Sequence, residues 1–290
     1  MMKAILTSSS QRTSTVTLAR SATAALAVLP LLNRRCLSPS LISGGLDIGL
    51  WLALGFFCQS HALVSATSSE ASVMLSLTLV VVGLLELVAG RRLTFRRGIP
   101  VLMALAGLGL METGKPNPSA HADAGRGGWP IVSEGTAWGI ASALGFGVHL
   151  FRSDVVQDRV DASVQLGALQ LVTCAGYHAL WVIADLALQP AGAVPGASLS
   201  AAWDMPWAEV LFCGVVATGL GQFMELVCVK HAKASSTAIV FAQVPVWGLV
   251  LGFFVHGDRL SAVSFLGSAL IMCAAAVPHC TRREEGARPA

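Results

Sequence analysis

The sequence predicts an all-α membrane protein, a helical bundle of about nine transmembrane helices. Composition is the first reason: 54% of the residues are hydrophobic and 12% are charged, whereas soluble domains carry about 25% charged residues. The second reason is that the apolar residues come in blocks long enough for a helix to cross a hydrocarbon layer of about 30 Å. A soluble fold would have too little polar surface to cover such a core.

The apolar blocks define the candidate transmembrane segments. They are 16–32, 47–64, 71–89, 98–111, 135–151, 162–188, 210–229, 235–256 and 261–277. The first segment is interrupted by Arg20, and the fourth is short. A stretch rich in Pro, Gly and Ala, residues 112–134, separates the fourth block from the fifth and is predicted to be a linker.

The basic residues fall mostly on one side of the membrane when the loops are assigned alternately to its two sides. That side collects Arg34, Arg35, Arg91, Arg92, Arg96, Arg97, Arg152, Arg159, Lys230, Lys233, Arg282, Arg283 and Arg288. The other side holds Lys3, Arg12, Lys115, Arg126 and Arg259. Because Lys and Arg resist translocation, the first side is predicted to be the inner one and to hold the C-terminus.

The chain also contains an internal repeat. A shift of 167 residues places Ser68, Ser69, Ala71, Val73, Gly90, Arg92, Leu93 and Thr94 on Ser235, Ser236, Ala238, Val240, Gly257, Arg259, Leu260 and Ser261. An odd number of predicted segments separates each helix from its counterpart, so the second copy is predicted to be inverted in the membrane. Inverted repeats are typical of secondary transporters, which bind substrate near the midplane between the copies.

Several of these stretches resemble a known family. Residues 232–238 (AKASSTA), 244–246 (VPV), 257–261 (GDRLS) and 265–271 (FLGSALI) resemble the last two helices of the EamA repeat in the drug/metabolite transporter superfamily. Residues 49–55 (GLWLALG), 68–69 and 91–94 resemble the matching part of the first repeat. The resemblance implies ten helices in two inverted sets of five, with a central cavity and alternating access.

The resemblance also divides the chain into regions. They are a candidate targeting segment at 1–13, a first EamA repeat at 14–111, the linker at 112–134, a second EamA repeat at 135–278 and an inner-side tail at 279–290. The first repeat lacks the family's first helix, for which a truncated gene model is the preferred explanation. The first 46 residues have no acidic side chain and are rich in Ser and Thr, which is typical of transit peptides. Together with a likeness to plastid members, this composition predicts a plastid envelope location, with another cellular membrane as the alternative.

Polar residues inside the apolar segments are the candidate substrate-binding residues, because such residues face the protein interior or a wet cavity. They are Gln59, His149, Gln170, Gln222, Glu225, Gln243 and Trp247. Glu225 ends a stripe that includes Gly214, Thr218 and Gln222, and Gln243 shares a face with Trp247. Pro245 lies between that last pair and predicts a kink in the helix.

The fifth segment carries two stripes. One holds Trp138, Ser142, Gly145 and His149, and the other holds Gly135, Gly139, Ala143 and Gly147. Small residues allow close approach of helix backbones, so the second stripe is predicted to be the packing ridge. Structural roles remain the alternatives: Glu225 as an interfacial carboxylate, Gln243 as a hydrogen-bonded residue in a kink, and His149 as an interfacial residue near Arg152.

The sequence therefore predicts a secondary transporter that moves a small metabolite or drug-like solute by alternating access, with Glu225 or His149 as candidates for proton coupling. The alternative is a non-transporting, degenerate membrane interaction protein. Because the sequence has no phosphate loop, GxSxG or HExxH motif, we expect no enzyme activity and no catalytic residues. The expected partners are a small-molecule substrate and the lipid bilayer, with a homodimer left open. Nucleic acid, metals and cofactors are not expected.

Overall fold

The computed structural model describes residues 13–33, 37–65, 77–90, 134–160, 162–188 and 205–241, with isolated positions between 99 and 110 and between 244 and 273. The regular elements within these residues are helices, which confirms the all-α bundle. They are α1 (Thr13–Val28, followed by the 3-10 turn Leu29–Leu31), α2 (Pro39–Ser65), α3 (Thr78–Val88), α4 (Glu134–Gln157), α5 (Ser163–Ala187), α6 (Trp207–Leu211), a π-helix (Phe212–Leu220) and α7 (Gly221–Phe241).

Among the described residues, four stretches of helix are long and apolar enough to cross a membrane. They are Thr13–Leu31, Pro39–Val64, Ser163–Ala187 and Trp207–Ala234. Helix α3 is apolar but has 11 residues, and α4 has 24 residues with a more polar sequence. The predicted segments 98–111, 235–256 and 261–277 lie largely outside the described residues.

Helix α2 packs most extensively against α4, and small residues bring the two backbones together. A Cβ atom added to Gly145 would lie 2.8 Å from the backbone nitrogen of Gly55. At the same level the Ser142 hydroxyl donates to the Gly55 carbonyl at 3.0 Å. Phe56 and Phe146 meet edge to face, with ring centroids 5.1 Å apart. This close approach is what small residues permit between membrane helices.

The predicted packing ridge of α4 is only part of its contact surface. The stripe of Ser142, Gly145 and His149, which was not predicted to pack, forms the interface with α2. Gly147 of the predicted ridge faces α3, where an added Cβ would lie 2.5 Å from Cγ1 of Val81. Both stripes are used because α4 has a helix on each side, and periodicity alone does not assign a stripe to a neighbour.

Contacts at one end of the bundle, here called the outer end, join the start of α1 to the end of α2 and the start of α6. The hydroxyls of Thr17 and Ser60 are 2.7 Å apart. Val16 and Val210 belong to the same buried apolar cluster. Asp185, near the end of α5, accepts a hydrogen bond from Ser14 at 2.8 Å.

The opposite end, here called the inner end, holds the start of α2 and the second half of α7. A Cβ added to Gly44 would meet Val156 at the end of α4. Lys233 of α7 forms ion pairs with Asp158 at 2.6 Å and Asp154 at 3.3 Å. Consequently α2 runs from the inner to the outer end, whereas the α6–α7 rod (Trp207–Phe241) runs from the outer to the inner end.

The rod departs from a regular α-helix in two places. The first is the π-helix, in which the Thr218 hydroxyl donates to the Cys213 carbonyl at 2.9 Å. A π-helix aligns residues five apart, so Gly214 and Gly219 both face α1. The second is Lys233, whose φ of 67° breaks α7 between the seventh and eighth predicted segments.

We predict that Gly145→Ala lowers the unfolding temperature of the protein in detergent, because the new methyl group must push the α2 and α4 backbones apart. Overpacking of this kind costs about 1–3 kcal/mol. Gly176→Ala is the matched control, since an added Cβ there meets nothing within 4 Å. An equal response of the two variants in thermal unfolding would contradict the packing described for Gly145.

Candidate functional site

His149 lies at the centre of the candidate site and connects three helices. Its side chain belongs to α4 and is 1% exposed. Nδ1 is 2.9 Å from the carbonyl oxygen of Ile48 in α2. Nε2 is 3.3 Å from Oε1 of Glu225 in α7. The Gly145 contact described above positions this ring, because it sets the distance between α4 and α2 one turn away.

The protons of this pair follow from its partners. A carbonyl oxygen only accepts hydrogen bonds, so Nδ1 of His149 carries a hydrogen. A hydrogen bond between Nε2 and the carboxylate of Glu225, 3.3 Å away, needs one further proton on either of the two groups. Both residues are buried, at 1% and 8% exposed.

Glu225 also contacts Gln222, another residue that the sequence predicts to bind substrate. The Gln222 amide nitrogen donates to Oε2 of Glu225 at 2.7 Å. The Gln222 amide oxygen is buried and has no hydrogen-bond partner. Glu225 is therefore a buried residue held by His149 and Gln222 rather than an interfacial carboxylate.

Gln170 of α5 lies at the same level of the bundle. Its carbonyl oxygen would be 3.0 Å from a Cβ added to Gly49, the residue after Ile48. The side chain is 0% exposed, and neither amide atom has a hydrogen-bond partner. An unsatisfied buried polar group costs about 1–3 kcal/mol. Gln170 and Gln222 therefore offer buried donor and acceptor atoms to a polar ligand.

Of the other three candidates, the two that the structure describes, Gln59 and Trp247, are not brought to this cluster. Gln59 is half-buried near the outer end of α2, next to Ser60. Trp247 is 54% exposed. Gln243 lies outside the described residues. Their assignment to substrate binding remains a prediction from the sequence.

Arg20 is a buried charged residue that the list of site candidates did not include. It was noted only as an interruption of an apolar segment, although a charge inside such a segment is itself a signal of function. Its side chain is 6% exposed, with the guanidinium carbon 4.2 Å from the centroid of the Phe56 ring. A second pair, Arg152 with Asp47, is half-buried and has an Nε to Oδ2 distance of 2.7 Å.

Clusters of interacting side chains lie at both ends of the described bundle. At the outer end Phe57, His61, Trp138 and Trp181 form an aromatic cluster, in which the His61 and Trp138 rings stack with centroids 4.8 Å apart. At the inner end the ion pairs of Lys233 border an open cavity of about 350 Å³, lined by Asp154, Gln157, Asp158, Arg159, Lys230 and Lys233. The His149–Glu225 pair lies between these two clusters. Within the described part of the chain, no group of three or more His, Cys, Asp or Glu could hold a metal ion.

We predict that His149→Ala and Glu225→Ala are energetically coupled in a double-mutant cycle of thermal unfolding. Residues in direct contact show coupling of about 0.5–3 kcal/mol. His178→Ala with Glu225→Ala is the control cycle, because His178 instead contacts Ser21 and the Ala53 carbonyl. Additive effects in the first cycle would contradict the His149–Glu225 contact.

Comparison with known proteins adds the family context. One crystal structure, described only as that of a protein, is similar with a TM-score of 0.67 at 20% sequence identity, covering 97% of this chain and 92% of the other chain. At that identity the likeness shows the fold alone. A search of curated protein sequences gives no match.

The sequence profile of the EamA-like transporter family matches residues 134–277. This range begins with α4 and includes α5 and the α6–α7 rod, so it holds His149, Gln170, Gln222 and Glu225. The match and the apolar helices together indicate an integral membrane protein. Residues 134–277 form an EamA-like transporter family domain, and the family indicates a membrane transporter of the drug/metabolite transporter superfamily.

Proposed function

We propose that this protein is a secondary transporter that moves a small solute by alternating access and exchanges a proton at the His149–Glu225 pair. The observation that supports this proposal most strongly is the pair itself, a histidine and a carboxylate 3.3 Å apart in the interior of a membrane protein. Ionisable residues at such depth commonly mark ion or proton pathways. The site of proton exchange would then be adjacent to the substrate-binding site.

The surroundings of the pair favour a single exchangeable proton. Facing it are the neutral Ile48 carbonyl from α2 and the neutral Gln222 amide from its own rod. The nearest charges along α4 and α2 are Arg152 and Asp47, which neutralise each other. Access of water or of a charged solute from one side would allow the proton to leave on that side.

The directions of the helices support the alternation of two halves. The repeat shift of 167 residues superimposes α2 on the α6–α7 rod, and these two elements run in opposite directions through the bundle. Inverted copies of this kind can exchange conformations, which opens a central site to each side in turn. The outer aromatic cluster and the inner Lys233 ion pairs are the contacts that would open alternately.

The sequence features leave a second function open, that of a degenerate membrane protein that binds a partner and does not transport. The plastid envelope as its location and a homodimer as its assembly also remain predictions from the sequence. The packing of the described helices is compatible with either function, so the two functions are distinguished by flux measurements.

We predict that purified protein in proteoliposomes couples solute entry to proton movement. The measurement records the lumenal pH with an enclosed dye while sugars, amines and organic acids are added in turn. Glu225→Gln and His149→Ala should abolish the solute-driven pH change, because neither variant retains the proton-sharing pair. Glu209→Gln is the matched control, since it removes a carboxylate from the same rod at the outer end.

The outcomes separate the alternatives. An unchanged pH response in both Glu225→Gln and His149→Ala would exclude the pair as the proton site. Solute flux without any pH change in the unmodified protein would leave a transporter that is not coupled to protons. Absence of flux for every class of solute would favour the non-transporting function.

A further inference from the structure

Arg20 is a buried cation whose hydrogen-bonding capacity is largely unused. It lies in α1 with 6% of its side chain exposed, and its guanidinium group stacks over the Phe56 ring at 4.2 Å. Nε and Nη2 are both buried and have no hydrogen-bond partner. These two atoms form one edge of the guanidinium group, the edge that binds an oxyanion with two parallel hydrogen bonds.

Arg152 shows how this edge is normally used in the same protein. Its Nε and Nη2 both contact Oδ2 of Asp47, at the boundary of the bundle where the arginine is 42% exposed. Arg20 is far more deeply buried, yet among the described residues no carboxylate contacts its guanidinium group. Of the two arginines, Arg20 is therefore the one that lacks a carboxylate partner, although it is the more deeply buried.

The neighbours of Arg20 do not supply a negative charge. His178 contacts the Ala53 carbonyl through Nε2 at 3.2 Å and the Ser21 hydroxyl through Nδ1 at 3.0 Å, and an imidazole carries no negative charge in either contact. Cys174 is buried beside His178, with its sulfur 3.8 Å from Nδ1. Among the described residues, the wall around the guanidinium group is polar and holds no carboxylate.

The contact with Phe56 does not offset the burial of the charge. An arginine in the centre of a membrane helix is costly to insert, and a single cation–π contact is worth less than that cost. An anion that binds the free edge would remove most of this imbalance. The π-helix lies against the same turn, where a Cβ added to Gly214 would be 2.7 Å from the Arg20 carbonyl, and π-helical segments are frequent at functional sites.

Arg20 also lies close to the proposed proton site. Phe56 is eight residues after Ile48 in α2, which corresponds to about 12 Å along the helix axis. The two sites lie on either side of the middle of α2, with Arg20 toward the outer end. A small solute that reaches one of them is therefore about two helical turns from the other.

We propose that Arg20 binds the oxyanion of the transported solute, so that the substrates are small organic anions carrying a carboxylate or phosphate group. This inference rests on the proposed transport function and names the substrate class. Proton exchange at Glu225 and anion binding at Arg20 together would allow the solute to cross with its charge compensated.

The test measures thermal unfolding of the purified full-length protein in neutral detergent with added inorganic phosphate, succinate or uncharged mannitol. Phosphate or succinate should raise the unfolding temperature and mannitol should not. Arg20→Gln should weaken the apparent anion affinity by about tenfold or more, because charge-assisted hydrogen bonds are lost. Arg159→Gln is the control, since it removes an arginine from the inner cavity.

A second variant keeps the test decisive if Arg20→Gln does not fold. Arg20→Lys retains the positive charge but loses the planar fork, so the anion-induced shift should persist and be weaker. The proposal would be overturned if the anion-induced shift in unfolding temperature were unchanged in Arg20→Lys and in any folded Arg20→Gln. It would also be overturned if Arg159→Gln abolished the shift or if mannitol reproduced it. The absence of any shift in the unmodified protein would overturn it as well.

Two further experiments are needed. One distinguishes a lipid headgroup from a soluble anion as the ligand, and the other separates the anion-binding proposal from the transport proposal. If phosphatidylglycerol stabilises the protein through Arg20 while soluble anions do not, the site binds lipid and the substrate class is wrong. In proteoliposomes, uptake of a neutral solute that Arg20→Gln leaves unchanged would refute anion binding and leave the transport function intact. Anion binding through Arg20 without flux of any solute would refute the transport function and leave the anion-binding site intact.

Discussion

The described structure depends most on the contacts that the His149 imidazole makes with two neighbouring helices. From α4 it donates to the Ile48 carbonyl in α2 and faces Glu225 in α7. Lipid offers no alternative partner to any of these groups, so the three helices must stay in register for all of them to be satisfied. The close approach of Gly145 to Gly55 makes this possible, because a larger residue in either helix would move the ring away from its carbonyl.

Polar groups in the interior otherwise fall into two kinds. Thr17, Ser60 and Thr173 bond to hydroxyls or carbonyls of neighbouring helices and hold the bundle together. The side-chain amide of Gln170 and one edge of Arg20 are buried without such partners. Unsatisfied buried groups are rare in stable folds, and here they lie within about two helical turns of the His149–Glu225 pair along α2. Their location is the physical basis for proposing that a polar solute binds in this region.

Much of the fold followed from the sequence because hydropathy reports helix length and position directly. The apolar block 162–188 became α5 (Ser163–Ala187), and the block 47–64 became the second half of α2. His149, Glu225 and Gln222 were identified because polar residues in apolar segments are unusual, but their mutual contacts could not be derived from helical periodicity. Which face of α4 meets α2 depends on the arrangement of the neighbouring helices, and the π-helix depends on the contacts of Gly214 and Gly219 with α1. Arg20 was underrated because its burial is a property of the assembled bundle.

The central claim is that the region around Glu225 communicates with each side of the membrane in turn. The most direct measurement replaces Gln222 by cysteine in a protein whose native cysteines have been removed, and follows its labelling by membrane-impermeant thiol reagents applied from each side. Alternating access predicts that this cysteine is labelled from both sides. It also predicts opposite changes in the two labelling rates when a proton gradient is imposed. Labelling from one side alone under all conditions would contradict it.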